Sequence, residues 1–126
     1  MHWKTIRLEL ARTPEFPRGS ASRAHLLRLP VNDQGVIDEE ALRAAPGRAT
    51  VRRFWPNEPD MAGHVVRTVE GWAFSYSIGE KDELILHLES GPMRQGEQVT
   101  LIEPGGRRLP FRIASVEPNV RAASLG

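Results

Sequence analysis

The stretch Gly71-Trp72-Ala73-Phe74-Ser75-Tyr76-Ser77 alternates large aromatic residues with small ones over its whole length. A period of two is that of an extended strand, whose successive side chains point to opposite faces. One face of this strand is therefore aromatic, and the other is small and polar. The chain of 126 residues contains 3 Trp, 1 Tyr and 4 Phe. Because three of these aromatic residues lie on one strand face, we predict that the strand forms either the centre of the core or a binding platform.

Burial is the interpretation that the composition favours for the aromatic face. Its three rings offer the largest apolar area available to a core with few other aromatic residues. An exposed face would suit stacking on unpaired bases, but it would need basic residues around it, and the preceding strand offers only Arg67. We therefore expect Trp72, Phe74 and Tyr76 to lie in the interior.

Turn residues divide the remaining chain into short strands. Pro, Gly, Asn and Asp recur between apolar or alternating segments at a spacing of about 8–12 residues, which is typical of barrels and sandwiches. One helix is predicted near 38–45, where Asp38 can cap the free amides and Glu39 and Glu40 suit the first turn. The fold class expected is mainly β: a small antiparallel barrel or sandwich of about seven strands with one short helix.

The length suits one domain, so we expect residues 1–120 to form a single β-barrel-like domain and residues 121–126 to form a flexible tail. The absence of Cys excludes disulfides and Cys-type metal sites and indicates a reducing compartment. The N-terminal region alternates charged and apolar residues and contains no run suited to membrane insertion. These features predict a cytoplasmic protein that does not bind membranes.

Charge is unevenly distributed, although the net charge is only +1. Residues 1–55 carry ten Lys/Arg against six Asp/Glu, and residues 56–126 carry seven against ten. Such asymmetry can orient an anionic partner toward one side of a fold. The large excess of Arg over Lys also fits the composition of a GC-rich genome, which explains the arginines without a basic interface. A weak nucleic-acid interface in the N-terminal half is the alternative explanation.

The segment 52–60 combines the groups that anion recognition requires. Guanidinium forks match carboxylate or phosphate oxygens, and aromatic rings supply a stacking wall. The binding residues predicted here are Arg52, Arg53, Trp55 and Asp60. A purely structural interpretation is also open, in which Trp55 joins the core, one Arg stacks on it, and an acidic residue pairs with the other Arg at the surface.

No catalytic motif is present in the sequence. It contains no Gly-x-Ser-x-Gly elbow, phosphate-binding loop or dinucleotide fingerprint, so we predict no catalytic residue and no cofactor. The histidines, His2, His25, His64 and His87, lack the paired spacing of a zinc site, and no metal ligand is predicted. Because distant histidines can converge in a barrel, and His87 shares a strand face with Glu89, a metal-dependent enzyme is a further alternative.

The segments Arg52-Arg53-Phe54-Trp55-Pro56 and Trp72-Ala73-Phe74-Ser75-Tyr76 resemble a family of short, functionally uncharacterised bacterial proteins with a β-barrel-like fold. The resemblance implies the fold class and a bacterial origin, and it brings no activity or catalytic residue. We expect a small binding or regulatory module rather than a stand-alone catalyst. Loops at one end of the barrel would recognise an anionic small molecule or a partner protein.

Overall fold

The computed structural model describes residues 2–89 and 91–118, which form eight strands and two short helical segments. The elements are β1 (His2–Leu10), β2 (Ser20–Val31), α1 (Glu39–Ala44), a 3₁₀ turn (Pro46–Arg48), β3 (Thr50–Phe54), β4 (Met61–Thr68), β5 (Gly71–Ile78), β6 (Asp82–Glu89), β7 (Gln98–Ile102) and β8 (Arg108–Pro118). The predicted flexible tail at 121–126 lies outside the described residues, and the predicted domain boundary at 120 stays a prediction.

Each strand pairs antiparallel with the next along the chain, and β1 pairs with β8 to close the barrel. The prediction of a mainly β antiparallel fold with one short helix is confirmed. The structure has eight strands rather than about seven, and of the two expected architectures it is the barrel. Closure removes the free edges that an open sheet would leave.

The interior is filled by the inward-facing side chains of all eight strands. In one layer Val65, Phe74 and Leu86 are register partners on β4, β5 and β6. Phe74 and Tyr76 are fully buried, which confirms the interior position of the aromatic face. Trp72, at the end of this face, is half-buried and packs against the core.

One end of the barrel is closed by the connection between β2 and β3. The carboxylate of Asp38 accepts a hydrogen bond of 3.0 Å from the Ala41 amide and thereby caps α1, as predicted. Leu42 then reaches into the core from the helix. The amide of Met93, in the segment between β6 and β7, donates to the Gly35 carbonyl at 2.9 Å and ties a second connection to the first.

Pro30 lies within β2. A proline cannot donate to a sheet hydrogen bond, so it is tolerated only where one side of the strand is free of a partner strand. The pairing of β2 with β3 runs only from Ala24 to Leu27. Beyond it, the Pro30 carbonyl accepts a hydrogen bond from the Asp38 amide instead. Pro30 therefore costs no strand pairing, and β2 continues to Val31.

Gly63 lies on β4 at a point of close approach to β5. A Cβ atom placed on this glycine would overlap the carbonyl oxygen of Ser75. Gly63→Ala should therefore lower the free energy of unfolding by about 1–3 kcal/mol or more, as overpacking does in other proteins. Gly47→Ala is the matched control, because a Cβ there meets no atom within 4 Å. Urea denaturation of both variants measures the difference, and equal stability of the two would contradict the close approach.

Candidate functional site

The end of the barrel opposite α1 is the barrel mouth, formed by the connections at residues 11–19, 55–60, 79–81 and 103–107. Strands alternate in direction, so β1, β3, β5 and β7 end there and β2, β4, β6 and β8 begin there. In barrels, ligand sites commonly lie in such mouths, where loops and inward side chains converge.

A polar pair lies in the interior beneath the barrel mouth. His25 on β2 and Tyr76 on β5 are 1% and 0% exposed, and His25 Nδ1 lies 2.6 Å from Tyr76 Oη. The imidazole ring also packs against Phe74 and Phe111, with ring centroids 5.6 and 5.1 Å away. Each of these polar groups would be costly to bury alone, so the two side chains depend on their mutual hydrogen bond, whereas an apolar pair of similar volume would need none.

Burial keeps both members of this pair neutral. Desolvation, together with the nearby charge of Arg53, lowers the pKa of His25 from 6.5 to about 3. Desolvation also raises the pKa of Tyr76 far above its ordinary value, although the Arg53 charge acts in the opposite direction. At neutral pH the pair is therefore an uncharged imidazole bonded to an uncharged phenol.

His25 lines a small inner cavity of about 30 Å³ between the buried pair and the barrel mouth. Its remaining lining residues are Arg53, Trp55, Leu84, Leu86, Leu101, Glu103, Leu109 and Phe111. A wider outer cleft of about 310 Å³ shares Arg53, Trp55, Glu103 and Leu109 with it. The inner cavity accommodates about one water-sized group, because a buried water needs roughly this volume.

Arginine and aromatic side chains form the rim of the outer cleft. The Arg53 guanidinium lies over the Trp55 ring at 4.1 Å from its centroid. The Arg23 guanidinium lies over Phe16 at 4.1 Å and over Trp55 at 5.7 Å. Arg53 is also bonded to Glu58 at 3.0 Å, whereas Arg23 makes no salt bridge within residues 2–89 and 91–118. Two guanidinium groups are thus held against one indole ring at the entrance.

The four predicted binding residues divide between two faces of the barrel wall. Arg53 and Trp55 lie at the mouth, where Arg53 has only 14% of its side chain exposed. Arg52 points outward, lies over Phe54, and forms an exposed pair with Asp60 at 3.8 Å. Successive residues of a strand face opposite sides, so Arg52 and Asp60 do not share the site of their neighbours. The contacts of all four also match the structural interpretation of this segment.

The sequence analysis did not identify His25, Tyr76, Arg23 or Phe16 as parts of one site. One signal was available, since His25 lies two residues before Leu27 and so has the inward phase of a core strand. A histidine at an inward position is exceptional enough to be noted from the pattern. Its partner is 51 residues away in the sequence, and no local pattern indicates that pairing.

A lateral groove of about 650 Å³, larger than either mouth space, lies between α1 and the β4–β5 hairpin. Leu42, Val66 and Trp72 contribute apolar surface to it. Its ion pair of Glu39 and Arg67, 3.5 Å apart, has both side chains about half exposed. Among the described residues that line the groove, no polar side chain is buried, whereas a buried polar pair lies beneath the mouth. For this reason the mouth, and not this groove, is the candidate site.

Metal ligands do not cluster in the part of the chain that the structure describes: it contains no group of three His, Asp or Glu side chains that could hold an ion. Within the same described residues, His87 Nδ1 is buried without a hydrogen-bond partner. Glu89, on the same strand face, is bonded to Arg108. The pair His87 and Glu89 is therefore two residues on the outer wall of β6, with the carboxylate already engaged.

Comparisons of the chain with protein-family models, with curated proteins and with solved structures give no match. The resemblance to a bacterial family of barrel-like proteins accordingly stays a prediction. Among the described residues, no helix has the length and apolar character needed to cross a membrane.

The buried His25 predicts a specific pH dependence of stability. Its pKa is lowered from 6.5 to about 3 on folding, so between these values the unfolded chain binds more protons than the folded chain. The stability contributed by neutral His25 is complete above pH 6.5 and is lost as the pH falls toward 3. The free energy of unfolding should decrease by up to about 1.4 kcal/mol per pH unit from this group alone.

Urea denaturation between pH 4 and pH 8 measures this slope, compared with that of His25→Phe. Subtracting the two curves removes the contribution of carboxylates, which are the same in both proteins. His64→Gln is the control for the loss of a histidine, because its side chain is exposed. Parallel curves for the wild type and His25→Phe would show that His25 is accessible to protons in the folded state.

Proposed function

We propose that this protein is a small binding module that takes a small anionic molecule into the barrel mouth. The observation that supports the proposal most is the placement of Arg23 and Arg53 against the single ring of Trp55, directly outside a cavity that ends on His25. Guanidinium groups bind carboxylate and phosphate oxygens through two parallel hydrogen bonds. Stacking on the indole ring restricts their motion before a ligand arrives.

The existing partner of Arg53 is easily replaced. Glu58 lies on the loop of residues 55–60 with half of its side chain exposed, and exposed pairs of this kind contribute only about 0–1 kcal/mol. Arg23 has no carboxylate to lose within the described residues. An incoming anion therefore gains two guanidinium groups at the cost of the Arg53–Glu58 pair. The carboxylates of Glu15 and Glu103, which also line the outer cleft, are paired with Arg107.

A small anion is favoured over a nucleic acid because Arg23 and Arg53 converge on one compact cleft. Four of the ten basic residues at 1–55, Lys4, Arg7, Arg52 and Arg53, also form an ion pair with an acidic side chain. A nucleic-acid surface would instead need unpaired cations along an extended path. The same proposal includes three expectations from the sequence analysis: a partner protein as the other possible ligand, a cytoplasmic location, and a binding role rather than a catalytic one.

Arg52 and Arg53 offer a matched pair of variants, since they are adjacent and chemically identical but lie on opposite faces. Binding of butyrate, 2-oxobutyrate, benzoate and inorganic phosphate is measured by thermal shift and isothermal titration calorimetry. At least one anion should stabilise the wild type, because a ligand of the folded state stabilises it by mass action. Arg53→Gln should weaken that binding about tenfold or more, and Arg52→Gln should leave it unchanged.

Three outcomes would contradict the proposal. They are that none of the four anions binds, that Arg52→Gln weakens binding as much as Arg53→Gln does, and that the site prefers polyanions. The last is tested with a fluorescent single-stranded oligonucleotide at 50 and 200 mM salt. Tight binding that falls steeply with salt would favour the nucleic-acid alternative.

A further inference from the structure

His25 and Arg53 are direct neighbours on the inner wall of the barrel. They are register partners on β2 and β3, and partners in an antiparallel pair have Cα atoms about 4.5–5.5 Å apart. Both line the inner cavity. A small molecule that places an anionic group on Arg53 therefore brings its adjacent atoms close to the imidazole of His25.

Tyr76 lies behind the imidazole as seen from the cavity. It is fully buried and is not part of the cavity lining. Within residues 2–89 and 91–118, the phenol makes one hydrogen bond, to His25 Nδ1 at 2.6 Å. A buried phenol proton without an acceptor is costly, so the phenol donates and Nδ1 accepts. The imidazole proton then resides on Nε2. Because Nδ1 is engaged by Tyr76, the remaining polar group of the ring is the Nε2–H donor.

This donor determines what the inner cavity can recognise. A neutral N–H donor in a space of about 30 Å³ suits one acceptor oxygen that brings no proton and no charge. Four leucines and Phe111 supply the apolar part of the cavity wall and offer nothing to a second polar group. The other lining residues, Arg53, Trp55 and Glu103, also line the outer cleft. A carbonyl oxygen meets these conditions. The outer cleft of about 310 Å³ then limits the rest of the molecule to a short chain.

We propose that the barrel mouth selects short 2-oxo carboxylates, with the carboxylate on Arg53 and the adjacent carbonyl oxygen accepting a hydrogen bond from His25 Nε2. This selectivity rests on the anion-binding function proposed above. His25 is a specificity-determining residue in this arrangement. Tyr76 is a positioning residue, which acts by fixing the imidazole tautomer and touches no ligand atom.

The matched ligands 2-oxobutyrate and butyrate differ only in the carbonyl oxygen and test the selectivity directly. Calorimetry should show that the wild type binds 2-oxobutyrate about tenfold more tightly, the value of one well-made hydrogen bond to a buried donor. In His25→Phe the two ligands should bind equally. Tyr76→Phe should reduce the preference while keeping the ring volume.

The tautomer is tested without any ligand by ¹⁵N NMR of the imidazole in the wild type. Nε2 should carry the proton and Nδ1 should not, and this signature should change in Tyr76→Phe. A merely structural role of Tyr76 would not alter it. If His25→Phe fails to fold, the Tyr76→Phe preference and the NMR signature still decide the question.

The outcomes separate the two proposals. If neither ligand binds and the wider anion panel also fails, the anion-binding function is wrong and the selectivity falls with it. If both ligands bind equally to the wild type and Arg53→Gln abolishes both, anion binding stands and the 2-oxo selectivity is overturned. A proton on Nδ1 of His25 in the wild type also overturns the selectivity.

Discussion

Closure of the sheet between β1 and β8 is the constraint on which the rest of the structure depends. An eight-stranded barrel has an interior just wide enough to be filled by side chains, so every inward residue competes for the same space. Apolar residues fill almost all of it. His25 and Tyr76 are the exception, and the 2.6 Å hydrogen bond between them is what makes their burial tolerable. A polar pair that interrupts an otherwise apolar core at one interior position is typical of a functional site.

The position of this pair gives the barrel two unlike ends. At one end α1 and its neighbouring connection close the interior through Leu42 and Met93, both buried. At the other end the interior narrows to a small cavity bounded by a neutral imidazole and a stacked guanidinium. The closed end stabilises the barrel through these buried apolar contacts. At the open end the Arg53 guanidinium, the Trp55 ring and the buried imidazole of His25 line one cavity.

Arg52 and Arg53 show how strand geometry assigns different roles to identical side chains. Both guanidinium groups lie over an aromatic ring and both face a carboxylate. Arg52 has 57% of its side chain exposed and Arg53 has 14%. Screening by water makes the outer pair weak, whereas the inner guanidinium affects the ionisation of His25. The difference arises entirely from the alternation of strand faces.

Much of the fold and half of the site were predictable from the sequence by itself. The alternation at 71–77 determined that Phe74 and Tyr76 face one side, and Asp38 determined where the helix begins, because both are effects of neighbouring residues. The local chemistry also singled out Arg53 and Trp55, which lie at the barrel mouth. The tertiary structure alone decided that β1 meets β8, that His25 lies beside Arg53, and that Tyr76 bonds to His25. Periodicity specifies the face of a strand, but which strands become neighbours, and in which register, depends on how all eight share one closed interior.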